Sequence, residues 1–312
     1  MLACYEPDMT GRQRPIPLCG GIVNISTIPQ RSPFRYPGGK TWLIPRIRQW
    51  LRYRRPSVLV EPFTGGGIVG LTAVFEGLVD HTIFAEIDDE VAAVWSTILE
   101  GGSEWLAGRI LSFDLNIDNV RDLLLRTPCD TAEKAFQTIV RNRTHHGGIL
   151  APGSSLTKRG ENGKGLGQRW YAKTLAQRVR AIGSQRHRFT FLHGDGIEVM
   201  KSHATDPQTA FFIDPPYTAG TTEDGSKRAG SRLYRHHEVD HKHLFAVACN
   251  SVGDVLLTYD DTPEIREIAN LHTFVVKRVA MQNTHNTKLS ELLIGRDLSW
   301  FRPSLTQQEF FS

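Results

Sequence analysis

The chain is poor in cysteine: Cys4, Cys19, Cys129 and Cys249 are the only four in 312 residues. None forms a CxxC pair, which argues against a disulfide framework or a cysteine-rich zinc site and makes a reducing, cytoplasmic compartment the default. No run of about 18 apolar residues is present, so no membrane span or membrane partner is expected. The opening stretch MLACYEPDMTGRQRPIPLCGG has no apolar core of the kind a secretory leader needs. Internal repeats and low-complexity tracts are also missing. With 40% hydrophobic and 22% charged residues, the composition excludes disorder and a coiled coil. The most telling absence is local. Residues 31–55 hold eight Lys/Arg and no acid, and residues 141–188 hold eleven Lys/Arg against the single acid Glu161. The net charge is only +4, so the rest of the chain is acidic. Two uncompensated basic segments point to a polyanion, with nucleic acid the leading candidate because bound phosphates release counterions.

The pattern along the chain is that of an α/β protein. Residues 1–30 lack periodicity and read as a tail. TWLIPRIRQWL (41–51) has helical spacing, with Arg46 and Arg48 between its apolar positions. SVLVEPF (57–63) and HTIFAEI (81–87) read as strands, each followed by a helix; such alternation predicts a parallel sheet. Residues 103–141 read as short helices without strands, 144–169 as a Gly-rich basic loop or hairpin, and 170–182 as a basic helix. Strands resume at 189–195, 209–217, 252–260, 272–281 and 291–296, with helices near 238–250 and 263–270. The expected division is therefore a tail (1–30), a catalytic core (31–96 with 186–312) and a strand-poor insertion (97–185).

Three motifs could carry chemistry. VEPFTGGGIVG (60–70) places Gly65, Gly67 and Gly70 as GxGxxG after a strand and before a helix. Glycines there allow a tight turn and close approach to a ligand, and Glu86, at the next strand end, can accept ribose hydroxyls. Together they suggest an adenosine-containing cofactor, either nicotinamide or S-adenosylmethionine. PGGKT (37–41) imitates a phosphate-binding loop but has Phe34 where that loop needs glycine. FFIDPPYTAG (211–220) delivers Asp214, Pro215, Pro216 and Tyr217 at the end of an apolar strand. Prolines lack N–H donors. The Asp214 carboxylate and the Pro215 carbonyl are therefore left as paired acceptors, suited to an exocyclic NH₂, and Tyr217 offers a stacking face for a base. His145, His146, His236, His237, His241 and His243 cluster without a metal-ligand spacing, so no metal is expected.

In this combination the chain resembles the Dam-type (D12 class) N6-adenine DNA methyltransferases. The shared pieces are FRYPGGK (34–40), VEPFTGGG (60–67), AEIDDEVAAVW (85–95), NRTHHGG (142–148), HGD (193–195), DPPY (214–217), DDTPEIRE (260–267) and ELLIG (291–295), in the family's order. The resemblance implies a Rossmann-like S-adenosylmethionine-dependent methyltransferase fold. About seven mostly parallel strands would end in an antiparallel hairpin, with a mainly helical target-recognition insertion. It implies cofactor contacts from Tyr36, Lys40, Glu61, Pro62, Phe63, Gly65, Gly67, Glu86, Asp195, Ile197 and Asp214, and catalysis by Asp214 to Tyr217. Ile197 stands where the family usually has an aromatic, and Glu86 where it more often has Asp. Arg141, Asn142, Arg143, His145, His146, Lys158, Arg159, Lys164, Arg169 and Lys173 are expected to contact DNA. The family's loop has a second Asn where this chain has Gly147, and its FN element is missing, so GATC specificity is not implied.

The expected reaction is methyl transfer from S-adenosylmethionine to N6 of an adenine flipped out of double-stranded DNA. Methylation of cytosine N4, a catalytically inactive DNA-binding relative and a nicotinamide enzyme are the alternatives at this level. A paired restriction endonuclease is a compatible partner, and a nucleoid-associated monomer or weak dimer the expected state.

Overall fold

The computed structural model describes residues 18–19, 28–35, 38–150, 153–157, 165–216, 239–282 and 288–301. Eight strands form one sheet: β1 (Leu18–Cys19), β2 (Val58–Glu61), β3 (His81–Glu86), β4 (Phe189–His193), β5 (Thr209–Ile213), β6 (Asp254–Asp260), β7 (Val275–Gln282) and β8 (Lys288–Gly295). Their order is β1-β7-β8-β6-β5-β2-β3-β4. Strands β2 to β6 pair in parallel. Strand β8 runs antiparallel between β6 and β7, and the two-residue β1 lies parallel to β7. The sheet is thus the expected mostly parallel one, with its late hairpin folded back into the interior.

The local sequence explains this arrangement. Central strand β5 (TAFFI) is buried throughout, as a strand covered on both faces must be. Alternate residues then divide between two apolar layers. Leu59, Phe212 and Leu256 join one cluster, while Val60, Phe211 and Leu257 join the other. The first layer is covered by α1 (Ile44–Arg54), α2 (Ile68–Phe75) and α3 (Asp89–Thr97). Against the second pack α8 (Gly196–His203), α9 (His241–Asn250) and α10 (Pro263–Leu271).

Between α3 and β4 come α4 (Ser103–Ser112), α5 (Ile117–Leu125), α6 (Thr131–Thr144) and α7 (Ala172–Ser184). This is the strand-poor insertion. Its Leu106, Ile110, Phe136 and Val179 belong to the same apolar cluster as Phe84 and Trp95 of the sheet layer. The insertion therefore shares its core with the sheet.

Two local expectations change. Arg46, placed by spacing between the apolar positions of α1, is 2% exposed and its guanidinium lies 4.7 Å from the Phe301 ring centroid. Residues 1–30 are not simply a tail, because Leu18–Cys19 pair with β7 and Ile28 is buried. An edge strand offers unpaired backbone groups that a short segment can satisfy. Within 144–169, 151–152 and 158–164 lie outside the described residues; what is described includes an antiparallel bridge from His145 to Leu156.

The connections create a switch point beside β2. The chain runs from β2 to β3 and β4 on one side, then returns to β5 and β6 on the other. Their carboxyl ends border the crevice where open α/β sheets bind ligands. Helix α2 must lie close to β3 for this. A Cβ on Gly70 would sit 2.5 Å from Phe84 Cε1 and 2.6 Å from Thr82 Cγ2. Gly70→Ala is expected to cost about 1–3 kcal/mol, measured as a lower urea midpoint at unchanged slope.

Candidate active site

Acidic residues stand at the carboxyl ends of all five parallel strands: Glu61 closes β2, Glu86 closes β3, Asp195 follows β4, Asp214 follows β5 and Asp260 closes β6. The loop after β2 turns through Gly67, whose φ is +61° and whose Cβ would meet the Trp95 ring at 2.8 Å. Only glycine satisfies both conditions. Trp95 Nε1 donates to Gly65 O at 3.0 Å, tying the loop to α3. Gly65 N–H donates to Glu86 Oε2 at 2.9 Å, and the N–H groups of Ile87 and Asp88 donate to Oε1, each at 3.0 Å. A carboxylate has about four acceptor positions. Glu86 therefore has one left for a ribose hydroxyl, fewer than the expected pair. Burial pushes its pKa up to about 6 against the pull of these N–H groups.

Glu61 accepts the N–H of Gly70, and burial pushes its pKa up to about 8. Pro62 is buried and Phe63 half-buried beside it. The Pro62 carbonyl lies where a Cβ on Gly196 would be, 1.9 Å away, so the loops after β2 and β4 touch. Asp195 caps α8 by accepting the Ile197 N–H at 2.8 Å and is itself exposed. Ile197 is only 8% exposed and belongs to the core. Ile87, next to Glu86, is instead 45% exposed. Sequence reasoning missed Ile87, although an apolar residue directly after a strand-end acid was a usable signal. Tyr36 and Tyr217 lie outside the described residues.

Lys40 ties the crevice to Asp214. It is 3% exposed, and its Nζ lies 3.0 Å from Asp214 Oδ1 and 3.4 Å from Glu291 Oε2. It also donates to Gly38 O at 3.0 Å. Thr258 Oγ1 donates to the same Asp214 Oδ1 at 2.7 Å. Asp214 is thus held by a cation from the PGGK segment and a hydroxyl from β6. Pro215 is buried and Pro216 half-buried after it. Burial pushes Glu291 up to about 7; Lys40 opposes the shift, and Asp214 and Asp260 add to it. Burial, with Asp214 adding to it, also holds the Tyr259 phenol well above its usual range. Glu291 and Thr258 were not predicted as site residues; each is delivered by a strand pairing that sequence spacing does not reveal.

The residues expected on DNA divide. Asn142 is fully buried. Its Oδ1 accepts the Arg35 N–H at 2.8 Å, and its Nδ2 donates to the carbonyls of Arg35 and Gly148 at 2.8 and 2.7 Å. It is a clamp between α6 and residues 35 and 148, which corrects its expected contact with DNA. Arg143 is 6% exposed, donating to Pro33 O at 2.5 Å and to Arg169 O at 3.5 Å. Arg141 pairs with Glu90 at 2.5 Å, and His145 Nδ1 meets Ser154 Oγ at 2.9 Å. His146 and Lys173 are exposed and Arg169 is half-buried. Lys158, Arg159 and Lys164 lie outside the described residues.

The sequence model of the D12 class N6 adenine-specific DNA methyltransferase family matches residues 36–283. The chain belongs to that family. It is therefore an S-adenosylmethionine-dependent methyltransferase. No curated protein matches it. Among solved structures, one described as an RNA methyltransferase from Pyrococcus horikoshii is similar at 10% identity, covering 87% of this chain and 92% of that one, with a TM-score of 0.38. The rRNA methyltransferase aviRa from Streptomyces viridochromogenes is similar at 14% identity, covering 84% and 86%, with a TM-score of 0.36. Among the described residues, no helix is long and apolar enough to cross a membrane.

The crevice of this methyltransferase fits the cofactor that its family implies. Three buried carboxylates, Glu61, Glu86 and Glu291, have their pKa values raised by burial. Such groups favour a bound cation, and S-adenosylmethionine carries a sulfonium and an ammonium. The glycine loop with Glu61 could hold its methionine end, Glu86 its ribose, and exposed Asp195 and Ile87 its adenine.

The raised carboxylates also set a pH dependence. Their folded pKa lies above the unfolded value, so the stability they allow is present at low pH and is lost as pH rises through the folded pKa. Between about pH 6.5 and 8, above the range where buried His145 would act, Glu291 and Glu61 dominate. The ligand-free enzyme is expected to lose melting temperature across that window. Glu61→Gln should flatten the upper half of the decline; a curve parallel to wild type would show that Glu61 is already ionised in the fold.

Proposed function

We propose that this methyltransferase acts on the N6 amino group of an adenine swung out of double-stranded DNA into the crevice at the strand ends. The observation that supports this reading most is Asp214, fixed by Lys40 and Thr258 and followed by two prolines. Extrusion of the base costs a few kcal/mol of stacking. The Asp214 carboxylate and the Pro215 carbonyl then accept the two N6 hydrogens, which turns the nitrogen lone pair away from both. When bound, S-adenosylmethionine supplies a methyl group on a sulfonium. Asp214 disperses the positive charge that develops on N6. Lys40 holds that carboxylate in one orientation, so catalysis is largely positioning. Tyr217 provides the face on which the extruded base stacks. Insertion 97–185 serves as the DNA-reading unit, through its exposed basic residues.

Asp214→Ala is expected to lower turnover by about 10²–10³-fold or more, while DNA affinity stays within a few-fold. Mapping modified bases in DNA from a host without adenine methylation, expressing either form, checks both reaction and target. N6-methyladenine in one short sequence context, present with wild type and missing with the variant, is the expected result. Methyl groups on cytosine N4, or equal methylation by Asp214→Ala, would overturn the reading.

A further inference from the structure

A second concavity lies beside the cofactor loop, outside the Asp214 site. It has a volume of about 460 Å³ and is lined by four arginines, Arg35, Arg143, Arg169 and Arg178, with Gly66 and Tyr171. No acid is among its lining residues. Three of these arginines come from the insertion and one from the segment before Lys40. Like charges converging in a partly buried space repel one another. Burial, with Arg178, Arg35 and Arg169 close by, pulls the Arg143 pKa down to about 9. Burial lowers that of Arg178 as well. Arg143 Nε is buried and has no hydrogen-bond partner among the described residues, although two other atoms of the same guanidinium donate to carbonyls. An unpaired donor on a buried cation is costly unless something accepts from it.

Tyr171 supplies a second, independent signal. It is 61% exposed and has a φ of +41°. A non-glycine residue in that region costs of order 1–3 kcal/mol and tends to persist where function needs it. The strained backbone starts α7 and leaves an aromatic side chain exposed beside the arginine cavity.

We propose that this cavity is a nucleotide pocket for the DNA substrate, separate from the pocket for the reacting base. One backbone phosphate is held by Arg143 and Arg178, and a base stacks on Tyr171. Four guanidiniums and a stacking face exceed what a single carboxylate of the cofactor would require, and the space is large enough for a nucleotide. The proposal rests on DNA being the substrate, as proposed above.

The test uses the full chain, a short DNA duplex and two variants. Arg178→Gln should make the slope of log Kd against log salt shallower by about 0.9, the loss of one phosphate contact, with S-adenosylmethionine affinity unchanged in the absence of DNA. Tyr171→Gly should weaken DNA binding by about 5- to 150-fold, the value of one stacked base. Its melting temperature should be unchanged or higher, because glycine accepts the left-handed conformation. A purely structural tyrosine would not combine weaker binding with retained stability. Wild-type salt slope in Arg178→Gln together with wild-type DNA affinity in Tyr171→Gly overturns the pocket. Lost cofactor affinity in Arg178→Gln with the DNA slope retained also overturns it and assigns the cavity to the cofactor's carboxylate. If Arg178→Gln does not fold, undiminished DNA affinity in Tyr171→Gly is sufficient to overturn it. Wild-type enzyme that methylates DNA while both variants bind normally fails the pocket alone, whereas wild-type enzyme that binds no DNA fails both proposals.

Discussion

One buried ammonium organises the site. Lys40 Nζ lies within ion-pair distance of both Asp214 and Glu291, so the PGGK segment, the end of β5 and β8 meet on a single charge. A cation this deeply buried must be paired or it destabilises the fold severely. Glu291 depends on it in turn, because burial and the nearby Asp214 and Asp260 push its carboxyl up and Lys40 opposes them. Orientation of the DPPY loop thus depends on a residue about 170 positions earlier in the chain. Thr258 adds a neutral hydrogen bond to the same oxygen, which limits the rotation of the carboxylate.

A similar economy holds the insertion in place. Asn142 uses two hydrogen bonds to join α6 to Arg35, in the segment just before Lys40, and a third to hold Gly148. Movement of the insertion would therefore be felt at Arg35 and, within a few residues, at Lys40. The basic cavity lies at this same junction, between the cofactor loop and α7.

Much of this was legible in the sequence. Apolar runs rich in branched side chains marked seven strands, GxGxxG marked the turn between β2 and α2, and DPPY marked the carboxyl end of β5. The misreadings share one physical cause: residue type reports charge but not the direction a side chain faces. Arg46 counted as solvated charge, yet it is buried against the Phe301 ring. Asn142 was expected on DNA and is spent on packing. Glu291 and Thr258 come from strands whose pairing partners are distant in sequence, and periodicity carries no information about such register. Ile197 occupied the expected adenine position but turned into the core, leaving Ile87 as the exposed apolar neighbour of Glu86.

The position of β8 has a consequence for how the enzyme is made. It follows the other seven strands in sequence but lies inside the sheet, between β6 and β7. As the chain leaves the ribosome, β2 to β6 can assemble first, with one side of β6 left unpaired until residues 288–295 emerge. Such an open edge can recruit other chains. Glu291 lies on that strand, so the charge network around Lys40 is completed only after residues 288–295 have been made. Chains that stop before β8 would thus carry the glycine loop and the DPPY strand but not the full set of charges around Asp214.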